Sequence, residues 1–202
     1  MKKTILKLIA LTLLLALMLP ALTSCSYDVY VVEIIVKDYG TITLELDAVS
    51  APKTVANFIK LVEADFYDGL TFHRVQKGFM IQGGCPEGTG GGDGPQTVYG
   101  EFSSNGYYGN NISHVRGVIS MARSNDPNSA SCQFFITNAD ARASLDGSYA
   151  AFGYVVDGMD VVDAITEKTQ PFADASNMNV IPDKSKHAVI EDIVIIDKYN
   201  ID

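Results

Sequence analysis

Positive charge is scarce in this sequence and tryptophan is absent: 15 Lys and Arg stand against 24 Asp and Glu, a formal net charge of −9 at neutral pH. No basic stretch offsets that balance, which excludes a nucleic acid or an anionic bilayer face as partner of the folded surface. Histidine and cysteine are equally sparse, at three each. His73, His114 and His187 lie far apart with no ligand spacing around them, so neither a metal site nor a cofactor is expected. The glycine-rich run "GTGGGDGP" (88–95) lacks the Gly-Lys-Ser/Thr ending of a phosphate loop and reads as a surface turn. "NDPNS" (125–129) likewise reads as a turn rather than a calcium loop. There is no repeat, no low-complexity tract and no second composition regime, and 202 residues suit a single domain.

What is present points to a β-rich globular chain. Apolar residues make up 47%, ten Tyr and nine Phe exclude disorder, and 17 Gly with 7 Pro supply many turns. One long apolar run occurs, "LIALTLLLALMLPAL" (8–22), preceded by Lys2, Lys3 and Lys7 and interrupted by Pro20. That is the pattern of a secretory signal rather than a spanning helix. The "LTSC" that follows (22–25) resembles the lipobox of bacterial lipoproteins. The resemblance implies a signal peptide over 1–24, lipidation (palmitate among the acyl chains) at Cys25, and a chain held at the extracytoplasmic face of the cell membrane. Residues 25–28 then form a short tether before a domain at 29–202. Removing 1–24 takes away three lysines and no acids, leaving 12 basic against 24 acidic residues and a net charge of −12.

Along that domain, "VYVVEIIV" (29–36) and "TITLELD" (41–47) flank "KDYG", and Ile42, Leu44 and Leu46 alternate with Thr41, Thr43 and Glu45, predicting a hairpin. In "SAPKTVANFIKLVEADFYDG", Val55, Phe58, Ile59 and Val62 recur at helical spacing behind Pro52, with Ser50 placed to cap. "GVISMA", "CQFFIT", "YAAFGYVV" and "HAVIEDIVII" read as strands, and "GMDVVDAITE" as a second helix opened by Asp160. Many strands with two helices suggest a mainly β, closed barrel with capping helices.

The collinear set "ANF", "YDGLTFHRVQKGFMIQGG", "GEF", "GVISMARSNDPNSASCQFFI" and "LDGSYAAFGYVVDGMDVV" resembles the cyclophilin family of peptidyl-prolyl cis/trans isomerases over about residues 29–197. The resemblance implies an eight-stranded antiparallel barrel capped by two helices, with a groove on the outside of one sheet that takes proline-containing polypeptides. It further implies that Phe79, Met80, Phe135 and Leu145 form a cup for the prolyl ring, and that Arg74 addresses the prolyl amide. Gln82 and Gln133 would position Arg74 and the substrate backbone. Ala122 and Arg123 would clamp the residue before proline, and Tyr149 would line the groove. Arg74, Gln82 and Phe135 are the expected catalytic residues, and a monomer is the expected state.

These residue types suit the chemistry. Rotation about an X–Pro bond breaks no covalent bond but meets an amide-resonance barrier of roughly 18 to 20 kcal/mol. A catalyst must grip the ring and favour the twisted amide, which calls for an apolar cup beside a fixed donor. A binding module that merely held proline segments would need only the cup.

Taken singly, Phe79, Met80 and Phe135 suit a core and Arg74 a surface. His73 reads as a packed, hydrogen-bonded histidine, because no proton abstraction is required, and His114 as structural. Ser144 stands where eukaryotic members often carry Trp before "LDG", removing an indole donor, and Tyr149 stands where they carry His. Cys85 and Cys132 flank the two glutamines, and the sequence leaves open both a disulfide and a pair of buried thiols.

Overall fold

The period-2 patterns become strands because each buries one face. In the computed structural model, which describes residues 27–201, β1 (Val29–Val36) and β2 (Gly40–Asp47) form the expected hairpin, in register from Val29 with Asp47 to Val36 with Gly40. Val32, Ile34, Ile42, Leu44 and Leu46 are buried inside it, while the residues between them are only partly covered. The other strands are β3 (Thr71–Gln76), β4 (Met80–Gly83), β5 (Val118–Met121), β6 (Phe134–Thr137), β7 (Ala151–Asp157) and β8 (Ala188–Tyr199). All pair antiparallel and close into a barrel in the order β1-β2-β7-β5-β6-β4-β3-β8, so no sheet edge is left open.

Two long helices cap the barrel, as expected, and a single-turn helix adds to them. α1 (Pro52–Val62) turns Val55, Phe58, Ile59 and Val62 into the core. There Phe58 packs its ring 5.2 Å from Tyr67, 5.6 Å from Phe134 and 5.3 Å from Phe152. α2 is the single turn Arg142–Leu145, and α3 spans Met159–Thr169. Among the described residues, no helix is long and apolar enough to cross a membrane.

Both expected helix openings are corrected. Ser50 does not cap α1: Ala51 holds the N-cap position without a side-chain bond. The buried Glu101 carboxylate, 48 residues away in sequence from Lys53, instead accepts the Lys53 N–H at 3.0 Å and the Thr54 N–H at 2.9 Å. A charged acceptor fixed by the fold displaces the weaker local hydroxyl. α3 opens at Gly158 in the left-handed conformation, φ 86°. A Cβ there would lie 2.3 Å from the Thr41 carbonyl oxygen, so close approach to β2 requires glycine, and Asp160 falls within the first turn.

The expected lipidation at Cys25 and the expected leader over 1–24 fall outside the described residues. Directly after them, Tyr27 and Asp28 are already held on the barrel. The Asp28 carboxylate accepts the Ile201 N–H at 3.0 Å, and Lys198 Nζ lies 4.8 Å above the Tyr27 ring.

Candidate active site

"FHRVQKGFMIQGG" forms two strands joined by a turn. β3 and β4 pair Arg74 with Gln82 and Gln76 with Met80 across the turn at 77–79, and a bulge at His73 shifts the register beyond Arg74. Gly84 ends the segment at φ +81°, where a Cβ would meet the Cys132 carbonyl oxygen at 2.8 Å. Register then carries a row sideways, because Gln82 pairs with Phe135 and Phe135 with Ser120. Alternation sends Val75, Ile81, Phe134 and Ile136 into the main core and leaves Arg74, Gln82 and Phe135 on the barrel's outer face.

On that face sits a second, smaller apolar cluster, separate from the barrel core. It comprises Met80, Phe135, Ala141 and Leu145, with Phe79, Ala122 and Tyr149 packed against it. Two strands, β4 and β6, with the 77–79 turn and α2, thus bring together every apolar residue expected in the cup. Ala141 is an addition that the motifs did not single out. The Tyr149 ring meets Phe135 edge-on at 5.9 Å and also lies 4.6 Å from the Arg123 guanidinium. Arg123 donates through Nε and Nη2 to the Ser148 carbonyl, at 3.0 and 2.8 Å. The Ala122 N–H donates to the Gln133 carbonyl at 2.9 Å. Ser144 turns outward from α2, its Oγ donating to the Ala141 carbonyl at 3.0 Å.

Beside the cup runs a chain of hydrogen bonds. Arg74 donates from Nη1 to Gln82 Oε1 at 3.0 Å, Gln82 Nε2 to Gln133 Oε1 at 2.9 Å, and Gln133 Nε2 to the Gly90 and Gly92 carbonyls at 3.0 and 2.8 Å. The glycine-rich loop therefore borders the groove and anchors its amides. Arg74 Nε is held by the Met178 carbonyl at 2.6 Å, a partner from the distant 172–187 segment that no motif revealed. Burial lowers the Arg74 pKa from its ordinary value, yet a guanidinium remains charged at neutral pH.

Two histidines lie behind this face. His114 stacks on Phe135 at 6.1 Å and is fixed by Asp146 at 2.9 Å from Nδ1 and by the Ser120 hydroxyl at 3.0 Å from Nε2. Burial lowers its pKa despite Asp146, so the ring supports Phe135 as a neutral, oriented plate. His73 is packed as expected, wholly buried beside Gly90, but neither ring nitrogen has a hydrogen-bond partner. Cys85 and Cys132 are free and buried. Burial pushes Cys132 up to about 11. Burial acts on Cys85 in the same sense, but backbone bonds from Gly92, Thr89, Gly90 and Glu87 outweigh it and hold that thiol below its ordinary value.

A protein-family model described as cyclophilin type peptidyl-prolyl cis-trans isomerase/CLD matches residues 31–195. A peptidyl-prolyl cis-trans isomerase of Synechococcus elongatus is 45% identical over 118 residues, 58% of this chain and 75% of that protein. Peptidyl-prolyl cis-trans isomerase B of Bacillus subtilis is 43% identical over 126 residues, 62% of this chain and 83% of that one. A crystal structure of a Cryptosporidium parvum cyclophilin type peptidyl-prolyl cis-trans isomerase superposes with a TM-score of 0.71 at 32% identity, covering 84% of this chain and 99% of that one.

Proposed function

Because the chain belongs to the cyclophilin-type peptidyl-prolyl cis-trans isomerases, we propose that it accelerates X–Pro rotation in exported proteins at the membrane surface, assisting their folding, without a covalent intermediate. In this account the prolyl ring enters the cup of Phe79, Met80, Phe135 and Leu145 and is immobilised there. The residue before it, placed by Ala122 and Arg123, rotates. As the amide twists, its nitrogen recovers a lone pair, and Arg74 offers that nitrogen a charged donor already oriented by Met178 and Gln82. An interaction that strengthens only in the twisted state raises turnover rather than affinity, about tenfold for each ~1.4 kcal/mol. Gln82 and Gln133 keep the donor aimed, which avoids reorganisation at the moment of rotation. The lipid on Cys25 would hold a monomer at the extracytoplasmic face.

The observation that carries this function is the juxtaposition of Arg74 and the outer apolar cluster on adjacent strands. Isomerisation of a cis-proline peptide, paired with calorimetric binding of the same peptide, tests it. Arg74→Ala is expected to lower turnover by roughly a hundredfold or more while changing ground-state binding little. Arg74→Lys is expected to rescue little, since it loses the planar fork, and Phe135→Ala to weaken binding and turnover together. An Arg74→Ala variant as fast as the parent would remove Arg74 from the mechanism.

A further inference from the structure

The 172–187 segment that supplies Met178 to Arg74 also lines an open surface cavity of about 400 Å³, bordered by the β1–β2 turn and the end of α3. Its lining carries Lys37, Lys168 and Lys186 against one carboxylate, Asp38, and the exposed Asp183 carboxylate, on the same turn as Lys186, feels that ammonium without pairing to it. Among the described residues none of these lysines makes an ion pair. Two are steadied by aromatic rings that also line the cavity: Lys168 Nζ lies 4.7 Å above Tyr39 and Lys186 Nζ 5.3 Å above Phe172. A ring face orients an ammonium without neutralising it. On a chain of net charge −9, the cavity is thus a local reversal of sign. Lys168 in the last turn of α3 also complements that helix's dipole, but Lys37 and Lys186 lie on other elements and have no such task.

We infer that this cavity binds an acidic stretch of the same polypeptide whose proline occupies the cup, an inference that rests on the isomerase function of the outer groove. The cavity is large enough for several carboxylate side chains. Both ends of the 172–187 segment line it, while the middle of that segment supplies the Met178 carbonyl to Arg74, so a bound chain that crosses this segment runs from Arg74 toward the lysines. A bilayer is the poorer occupant. The N-terminal segment enters at Val29, whereas Lys37 follows the other end of the eight-residue β1, roughly 26 Å away at strand rise.

The test compares a short proline peptide with versions extended on either side by four glutamates, using the full chain and a Lys37→Glu/Lys168→Glu/Lys186→Glu variant whose fold is checked by circular dichroism. One extended peptide is expected to bind about tenfold more tightly than the short one at low salt, as a cluster of solvent-exposed pairs allows. That advantage should vanish at about 0.5 M salt and in the triple variant, and inorganic pyrophosphate should compete for it. The short peptide should be bound and isomerised equally by both proteins. Equal affinities for short and extended peptides in the parent, or an advantage that survives the triple change, would overturn the inference. Lysine-dependent binding to phosphatidylglycerol vesicles without any peptide effect would also overturn it, in favour of a bilayer. Failure of the short peptide to isomerise at all would instead strike the proposed function of the groove. Should the triple variant not fold, Lys37→Gln/Lys186→Gln is expected to lose most of the advantage, and retention of the full effect would count against the site.

Discussion

His73 illustrates how a single side chain can be fixed by burial rather than by bonding. Desolvation, the largest influence on it, pushes its pKa down to about 4, against about 6.5 in an unfolded chain. Between those values the unfolded state binds a proton that the folded state refuses. Stability is therefore intact above about pH 6.5 and falls as the pH drops toward 4, by roughly 3 kcal/mol in full. His114, lowered in the same direction by burial, adds to the loss. Urea unfolding at about pH 7.5 and pH 4.5 should accordingly show a smaller drop for His73→Phe than for the parent. Identical drops would mean that His73 becomes protonated inside the fold. The motif placed His73 beside Arg74 in sequence, but not the register shift between Phe72 and Arg74 or the complete burial of the His73 ring beside Gly90.

At the scale of elements, the start of α1 shows where local signals yield to tertiary ones. Ser50 and Pro52 are a recognisable opening, yet the donors of Lys53 and Thr54 are taken by Glu101, and the Thr54 hydroxyl also donates to it at 2.8 Å. Glu101→Ala removes a wholly buried acceptor of three hydrogen bonds and is expected to cost about 2 to 4 kcal/mol. Ser50→Ala should stay within about 0.5 kcal/mol. Chemical denaturation of both variants measures the contrast, and a Ser50→Ala loss equal to that of Glu101→Ala would restore the local cap. The β3–β4 hairpin behaves differently. Its alternation, its turn and its closing glycines are all local, and it delivers Arg74, Met80 and Gln82 where the motif implied.

For the whole molecule, the closed barrel divides the chain's apolar residues into an inner core and the outer cluster around Phe135. A barrel without edges leaves this outer face free to bind a chain without inviting strand addition. The N-terminal end is equally consequential. Tyr27 and Asp28 are pinned to the C-terminal strand and tail, so a lipid on Cys25 would leave almost no slack between barrel and bilayer. Cys25→Ser should abolish incorporation of labelled palmitate and move the full chain from the detergent to the aqueous phase on partitioning. Unchanged partitioning would place the membrane attachment elsewhere.

Period-2 alternation, helical spacing and the collinear motifs determined six of the strands, the two long helices, the family and most members of the outer apolar cluster, because these are written in short-range patterns and residue types. The tertiary structure alone decided what crosses between distant segments. Met178 reaches Arg74 over 104 residues, and Glu101 reaches Thr54 over 47. His114 comes to lie against Phe135, and three lysines from separate elements ring one cavity. These contacts depend on register and closure of the barrel, and a backbone carbonyl or a trans cap leaves no signature in the residues flanking it, since any residue type supplies the former and the partner of the latter lies elsewhere in the chain.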